Sequence, residues 1–286
     1  MNRAPATDVS QSERDRPEHT KSPPETHVDA IRNPHPVDPR FYDSANLWRS
    51  RERNYYLRAY QKEVLATVGK FRIIAADDLA VFLYQGHREE FERDLLNLER
   101  QGLIQSKHFQ GTDGSARELL ALTRSGYRLL RAQRALPEAQ ATYYGFVKPK
   151  ESNHDANLYR VFRKERDRIA RAGGRNLKVI LDFEMKKKVN HDFSKYGAAA
   201  REEIAAKHGL RVIGGKIPVP DLRIEYETPE GNIGRVDLEL ATEHYRPRQL
   251  AQKVRAGFSL YASQIEADHL RRILDQHELT AELLTL

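Results

Sequence analysis

The 286-residue sequence has no cysteine, one tryptophan and two methionines. Without thiols it can form no disulfide, no thiolate zinc site and no cysteine nucleophile. No stretch approaches the roughly 18 consecutive apolar residues that a membrane helix requires, and the N-terminus has no apolar signal core. A cytoplasmic protein with no membrane partner is therefore expected. A loop of P-loop spacing, an HExxH helix and a GxSxG elbow are also missing, and Gly214-Gly215 lacks the further glycines of a dinucleotide fingerprint. Tyr245 adjoins His244, but the clustered metal-binding histidines of a relaxase do not accompany it. What the chain does have is a formal net charge of +7. That surplus favours an anionic partner, most commonly nucleic acid. The length suits two modest domains, each with its own core.

Residues 1–50 are rich in Pro, Ser, Thr and charged residues, with no aromatic before Phe41 and Tyr42. Such a segment cannot bury enough apolar surface to offset the entropy of ordering, so a disordered arm is expected. From 51 to 135 the pattern is that of a winged helix-turn-helix domain. Leu57, Tyr60, Val64 and Val68 recur at helical spacing, and Asp77 and Asp78 are placed to cap a second helix. A third helix carries Phe91, Leu95 and Leu98 on one face and stops at Gly102. Two strands follow, over 103–109 and 118–122, with a glycine-containing wing between them. Thr123 then caps a further helix. The strings QGLI and LTRSG resemble the end of bacterial winged-helix domains, in which the third helix enters the major groove and the wing touches the backbone. That third helix is net acidic here, which leaves dimerisation or protein binding open as its role. Arg88, Arg93, Lys107 and Arg117 are the candidate DNA contacts of this domain.

Residues 136–150 read as a linker, and Tyr143-Tyr144-Gly145-Phe146 are expected to pack across the domain junction. Between 148 and 216 stand 18 Lys and Arg against 9 Asp and Glu, more than the surplus of the whole chain. Arg160, Arg163, Lys164 and the run Lys186, Lys187, Lys188 are therefore better phosphate candidates than the third helix. The helix expected over 152–172 places His154, Leu158, Val161, Phe162, Glu165 and Ile169 on one face. Glu165 on that stripe needs a partner or a role. A strand over 177–184, a helix over 193–207, a helix over 246–263 and a last short element over 279–286 complete the expected α/β core.

Residues 217–261 read IPVPDLRIEYETPEGNIGRVDLELATEHYRPRQLAQKVRAGFSLY, in which two alternating runs flank a Pro-Glu-Gly-Asn turn. This is the pattern of a β-hairpin. The period of two puts Asp221 on one strand near Asp237 and Glu239 on the next, an arrangement able to hold a hard divalent cation. Pro220-Asp221, a spacer and Asp237-x-Glu239-x-Ala241 resemble the PD-(D/E)xK nuclease-like core, and LELATEHYRPRQLAQKVRAGFSLYA resembles the C-terminal half of replication-relaxation family proteins of plasmids and other mobile elements. The resemblance implies an α+β fold: an N-terminal winged helix followed over 151–286 by a restriction-endonuclease-like domain. It implies a DNA-binding protein of a plasmid, phage or transposon, acting in replication or mobilisation. If the site is active, it is a Mg²⁺-dependent endonuclease with Asp221, Asp237 and Glu239 on the metal and Glu165 and Lys253 in support. Ala241 stands where the family has lysine, so the domain reads as degenerate unless Lys253 supplies a relocated ammonium. A third reading is an accessory subunit of a DNA-processing or defence complex, with other proteins of the element as partners. A homodimer is left open.

Overall fold

The computed structural model describes residues 43–286 apart from 52, 111–115, 147, 243–244, 278 and 280. The expected disorder of residues 1–42 lies outside the described residues. Strands β1 (Asn46–Ser50) and β2 (Arg53–Leu57) form an antiparallel hairpin with Trp48 opposite Tyr55. Residues 46–50 are thus strand rather than arm. The cause is tertiary: Tyr55 and Leu57 are buried and Trp48 packs against the core.

Next come α1 (Ala59–Phe71), β3 (Ile74–Ala75), α2 (Ala76–Phe82), α3 (Arg88–Arg100), β4 (Ile104–Gln110), β5 (Ala116–Leu122) and α4 (Arg124–Ala132). The three strands form an antiparallel sheet in the order β3-β5-β4. The expected helices and strands occur in the expected order, while most of the expected wing lies outside the described residues. Thr123 caps α4 by accepting a hydrogen bond from the Gly126 amide at 3.1 Å. Gly126 itself packs so tightly that a Cβ would collide with the Leu103 carbonyl, which is why the LTRSG string ends on glycine. Asp77 and Asp78 do not cap α2, because Ala75 holds that position.

The second half contains α5 (Pro149–Arg171), β6 (Arg175–Leu181), α6 (Asp182–Tyr196), α7 (Arg201–Lys207), β7 (Leu222–Glu227), β8 (Ile233–Leu240), α8 (Pro247–Ala256), β9 (Ser259–Ala262), α9 (Gln264–Gln276) and β10 (Leu283–Thr285). The sheet order is β10-β9-β8-β7-β6. Strands β6, β7 and β8 are antiparallel neighbours, whereas β8, β9 and β10 run parallel. Parallel pairing needs crossovers, and α8 and α9 supply them. The helix expected over 193–207 is two helices. The first starts at Asp182, immediately after β6, and ends at Gly197, whose φ of 76° breaks it. The helix expected over 246–263 stops at Gly257, left-handed at φ 87°, so Phe258 and Tyr261 belong to the following strand region. Helix α9 lies where the sequence pattern gives no helix, although Ser263 and Glu266 form a capping box at its start.

The described residues fall in one compact unit, and one apolar cluster runs from Tyr55 to Tyr261. The expected boundary at 136–150 therefore crosses one continuous core. Phe71 of α1 meets Tyr159 and Phe162 of α5 at ring distances of 5.4 and 5.0 Å. The segment expected to be a linker is a fastening strap. The Tyr143 amide donates to the Gly69 carbonyl and the Gly145 amide to the Leu122 carbonyl, both at 2.8 Å. Tyr143 stacks edge-on against Phe183 at 4.9 Å, so the aromatic run does pack across the junction. Buried Gln140 completes the strap: its side-chain amide accepts from the Val179 N–H and donates to the Val179 carbonyl, both at 2.9 Å. It thus satisfies the outer edge of β6 as a neighbouring strand would. Among the described residues no helix is long and apolar enough to cross a membrane.

Replacing Gln140 by alanine strands one buried donor and one buried acceptor, at roughly 1–3 kcal/mol each. The expected outcome in urea titration is a single unfolding transition, displaced by about 2–6 kcal/mol. Two separated transitions would show that the halves are not one cooperative unit.

Candidate functional site

Antiparallel pairing puts Leu222 opposite Leu238 and Arg223 opposite Asp237. Asp221, one residue ahead of β7, consequently faces Glu239 near the end of β8. The pair is stitched together through the backbone: the Asp221 amide donates to Glu239 Oε2 at 3.3 Å, and the Leu240 amide donates to Asp221 Oδ2 at 3.0 Å. From α8, Lys253 Nζ lies 2.6 Å from Glu239 Oε1 and donates to the Val219 carbonyl at 2.9 Å. The Tyr245 hydroxyl donates to the same Glu239 oxygen at 2.5 Å. From the first turns of α5, His154 Nε2 lies 3.2 Å from Asp221 Oδ2. Two carboxylates are thus faced by two cationic groups.

The electrostatics follow from that arrangement. Burial, reinforced by the charge of Asp221, raises the Glu239 carboxyl to about 7 in spite of Lys253. Burial opposes charge on His154, but its contacts with Asp155 and Asp221 outweigh burial and hold the imidazolium up to about 10. Burial likewise opposes charge on Asp221, yet the His154 hydrogen bond and charge keep that carboxyl below its ordinary range. Thr242, Tyr245, Gln249, Gln252 and Lys253 line an open cavity of about 340 Å³ beside the pair.

Of the five residues expected to act together, Asp221, Glu239 and Lys253 converge. Asp237 does not join them. Arg223 stands opposite it and grips both its oxygens, at 2.5 and 2.7 Å, while donating also to the His208 and Gly209 carbonyls. Glu165 is also engaged elsewhere. Fully buried, it pairs with Arg168 and accepts from the Tyr261 hydroxyl at 2.8 Å. Among the described residues no three His, Asp or Glu side chains form a group able to hold a metal ion, so the expected triad of Asp221, Asp237 and Glu239 is not assembled. Sequence reasoning left His154 and Tyr245 out of the site. The histidine did carry a signal, its place on the apolar stripe of α5, but its partner is distant in the chain.

Several expected DNA contacts are occupied within the fold. Arg160 binds buried Asp78 at 2.7 Å, and Arg163, its charge disfavoured chiefly by burial, lies over the Phe82 ring at 5.7 Å. Lys164 donates to the Thr285 carbonyl, Arg117 to Asn157 at 3.3 Å, and Lys186 to Asp182 at 2.5 Å. Arg88 bridges Asp77 and Glu92, Arg93 lies 3.9 Å from Asp94, and Lys107 sits over Phe146 at 4.9 Å. Lys187 and Lys188 are exposed and line an open cavity of about 620 Å³ with His191, Lys207 and His208. No protein-family model matches the chain, and no curated protein matches it.

Lys253→Met leaves the Glu239 carboxylate buried without its cation. At about pH 8 the expected cost is on the order of 3 kcal/mol, most of it returned when Glu239→Gln is added. A double-mutant cycle by chemical denaturation measures this coupling. Glu239 and His154 both bind a proton more tightly in the folded state. Their contributions to stability are complete below the unfolded values of 4.5 and 6.5 and are lost as pH rises through about 7 and about 10. The unfolding midpoint should thus fall from about pH 5 to about pH 10. Glu239→Gln should flatten the lower part of that fall, and His154→Asn the upper part. Asp221, with its depressed pKa, acts with the opposite sign, and its contribution is lost only as pH falls through the acid range.

Proposed function

We propose that this chain is a DNA-binding protein whose nuclease-like site has become a structural charge cluster, acting in replication or mobilisation of a mobile element. The order of helices and strands over 59–132 supports a winged-helix reading of the first half. In the second half, a three-stranded antiparallel meander followed by a helix and a parallel strand supports the PD-(D/E)xK reading. Asp221 and Glu239 then occupy its acidic positions and Ala241 its lysine position.

The observation that carries the non-cleaving reading is the pairing of each acid with a protein cation. Lys253 and Tyr245 share Glu239 Oε1, His154 takes Asp221 Oδ2, and Arg223 holds Asp237. A divalent cation needs several free oxygen ligands around one point. These residues do not fit Mg²⁺ in the arrangement observed. Charge compensation is already internal, with two cations set against two carboxylates.

One observation favours the alternative, a metal-dependent endonuclease. Lys253 brings an ammonium to Glu239 where Ala241 offers none, and it does so at the wall of an open cavity. The third reading, a protein-binding accessory subunit, draws on the exposed acids Glu89 and Glu92 of α3.

Supercoiled plasmid incubated with the wild type and with an Asp221→Ala, Glu239→Ala double variant, in Mg²⁺, Mn²⁺ or EDTA, separates these readings. The expected result is DNA retarded but uncut by the wild type under all three conditions. Nicking by the wild type alone would establish the endonuclease. Absence of salt-sensitive retardation at low ionic strength would remove the DNA-binding reading altogether.

A further inference from the structure

We propose that the face built by Ser50, Arg51 and Arg53 of the hairpin and by α4 is the docking surface for nucleic-acid phosphates. The inference rests on the DNA-binding reading and names where the phosphates sit, on residues apart from the basic candidates considered above. Arg124, Arg128 and Arg131 are spaced by four and three residues, so they share one face of α4. The hairpin brings Arg51 and Arg53 beside that helix. Gln133 near the end of α4 fixes the approach by donating to the Arg49 carbonyl at 2.7 Å.

Between the two elements lies a cavity of about 420 Å³ lined by Ser50, Arg51, Arg53, Tyr55, Ser125 and Arg128. Among the described residues none of these three arginines has a carboxylate partner. That separates them from Arg88, Arg160 and Lys186, whose charges are already matched. Guanidinium groups present forked donors suited to phosphate oxygens, and hydroxyls of the two serines add further donors. Ser125 also lies in the first turn of α4, where backbone amides lack helical partners. The α4 row runs about 10 Å along the helix, long enough to meet more than one phosphate of a strand. A polyanion with repeating charge fits this surface better than one isolated phosphate.

Arg51 is held in the left-handed region at φ 54°, where a side chain is disfavoured. Arg51→Gly removes the charge and relieves the backbone at once, which separates binding from folding.

The test uses the full chain and a fluorescein-labelled duplex of about 30 base pairs, with the matching single strand, in fluorescence anisotropy over a NaCl series. For Arg51→Gly, Arg53→Ala, Arg128→Ala combined, affinity is expected to fall at least about tenfold near 0.1 M salt, and the log–log salt slope to become shallower by up to about 2.7, three contacts at about 0.9 each. The single Arg51→Gly variant is expected to bind more weakly than the wild type while its Tm stays at or above the wild-type value. If the triple variant does not fold, the single variant decides. Unchanged binding by the folded arginine variants, with loss on Lys186→Ala, Lys187→Ala, Lys188→Ala, would overturn this surface and leave the DNA-binding reading intact. A wild type that binds neither probe would overturn both.

Discussion

Helix α5 is the element on which both halves close, because its 23 residues must be apolar toward two different neighbours at once. Ala156 packs with Ile73, Ala75 and Leu119 of the helical half, and Leu158, Val161, Phe162 and Ile169 are buried in the shared core. Each large side chain buried this way contributes about 1.5–3 kcal/mol relative to exposure. Arg160 adds a polar anchor by reaching across to buried Asp78 in α2. The same helix carries His154 to Asp221 and Glu165 to Tyr261. The candidate site is therefore positioned by the packing that joins the halves, and a shift at the α1–α5 contact would be felt at Asp221.

Buried acids in this protein are consistently partnered. Asp94 binds Arg58, Gln61 and Tyr84; Asp192 binds Lys207 and His208; Glu165 binds Arg168 and Tyr261. Such pairs add little net stability over apolar packing, but breaking one is costly, so they penalise alternative registers. Arg223 illustrates the point within the hairpin. Only 3 % exposed, it must find Asp237, and a one-residue slip would bury it without a partner. That requirement removes Asp237 from the acid pair beside it. The site's chemistry is thus constrained by the sheet's own electrostatics.

The basic surfaces differ in how far their charge is already matched within the fold. On α3 Asp94 turns inward, but Glu89 and Glu92 remain exposed and would repel phosphates. Along α5 Arg160, Arg163 and Lys164 are engaged by other elements of the fold. Arg51, Arg53 and Arg128 are exposed or half-buried and, among the described residues, carry no carboxylate partner.

The sequence by itself determined the alternation that makes β7 and β8, the stripe of α5, the Thr123 cap and the glycine stop at 102, because each depends on residues close together in the chain. It also brought Asp221, Glu239 and Lys253 forward, but together with Asp237 and Glu165, which other residues hold. It did not reveal the β1 strand, whose residues resemble a disordered arm until Trp48 and Tyr55 find the core, or the strap formed by Gln140 and Tyr143. Nor could it show that Arg223 claims Asp237 while His154 claims Asp221. Those outcomes belong to tertiary structure, since register and helix packing decide which distant charge reaches a buried carboxylate first.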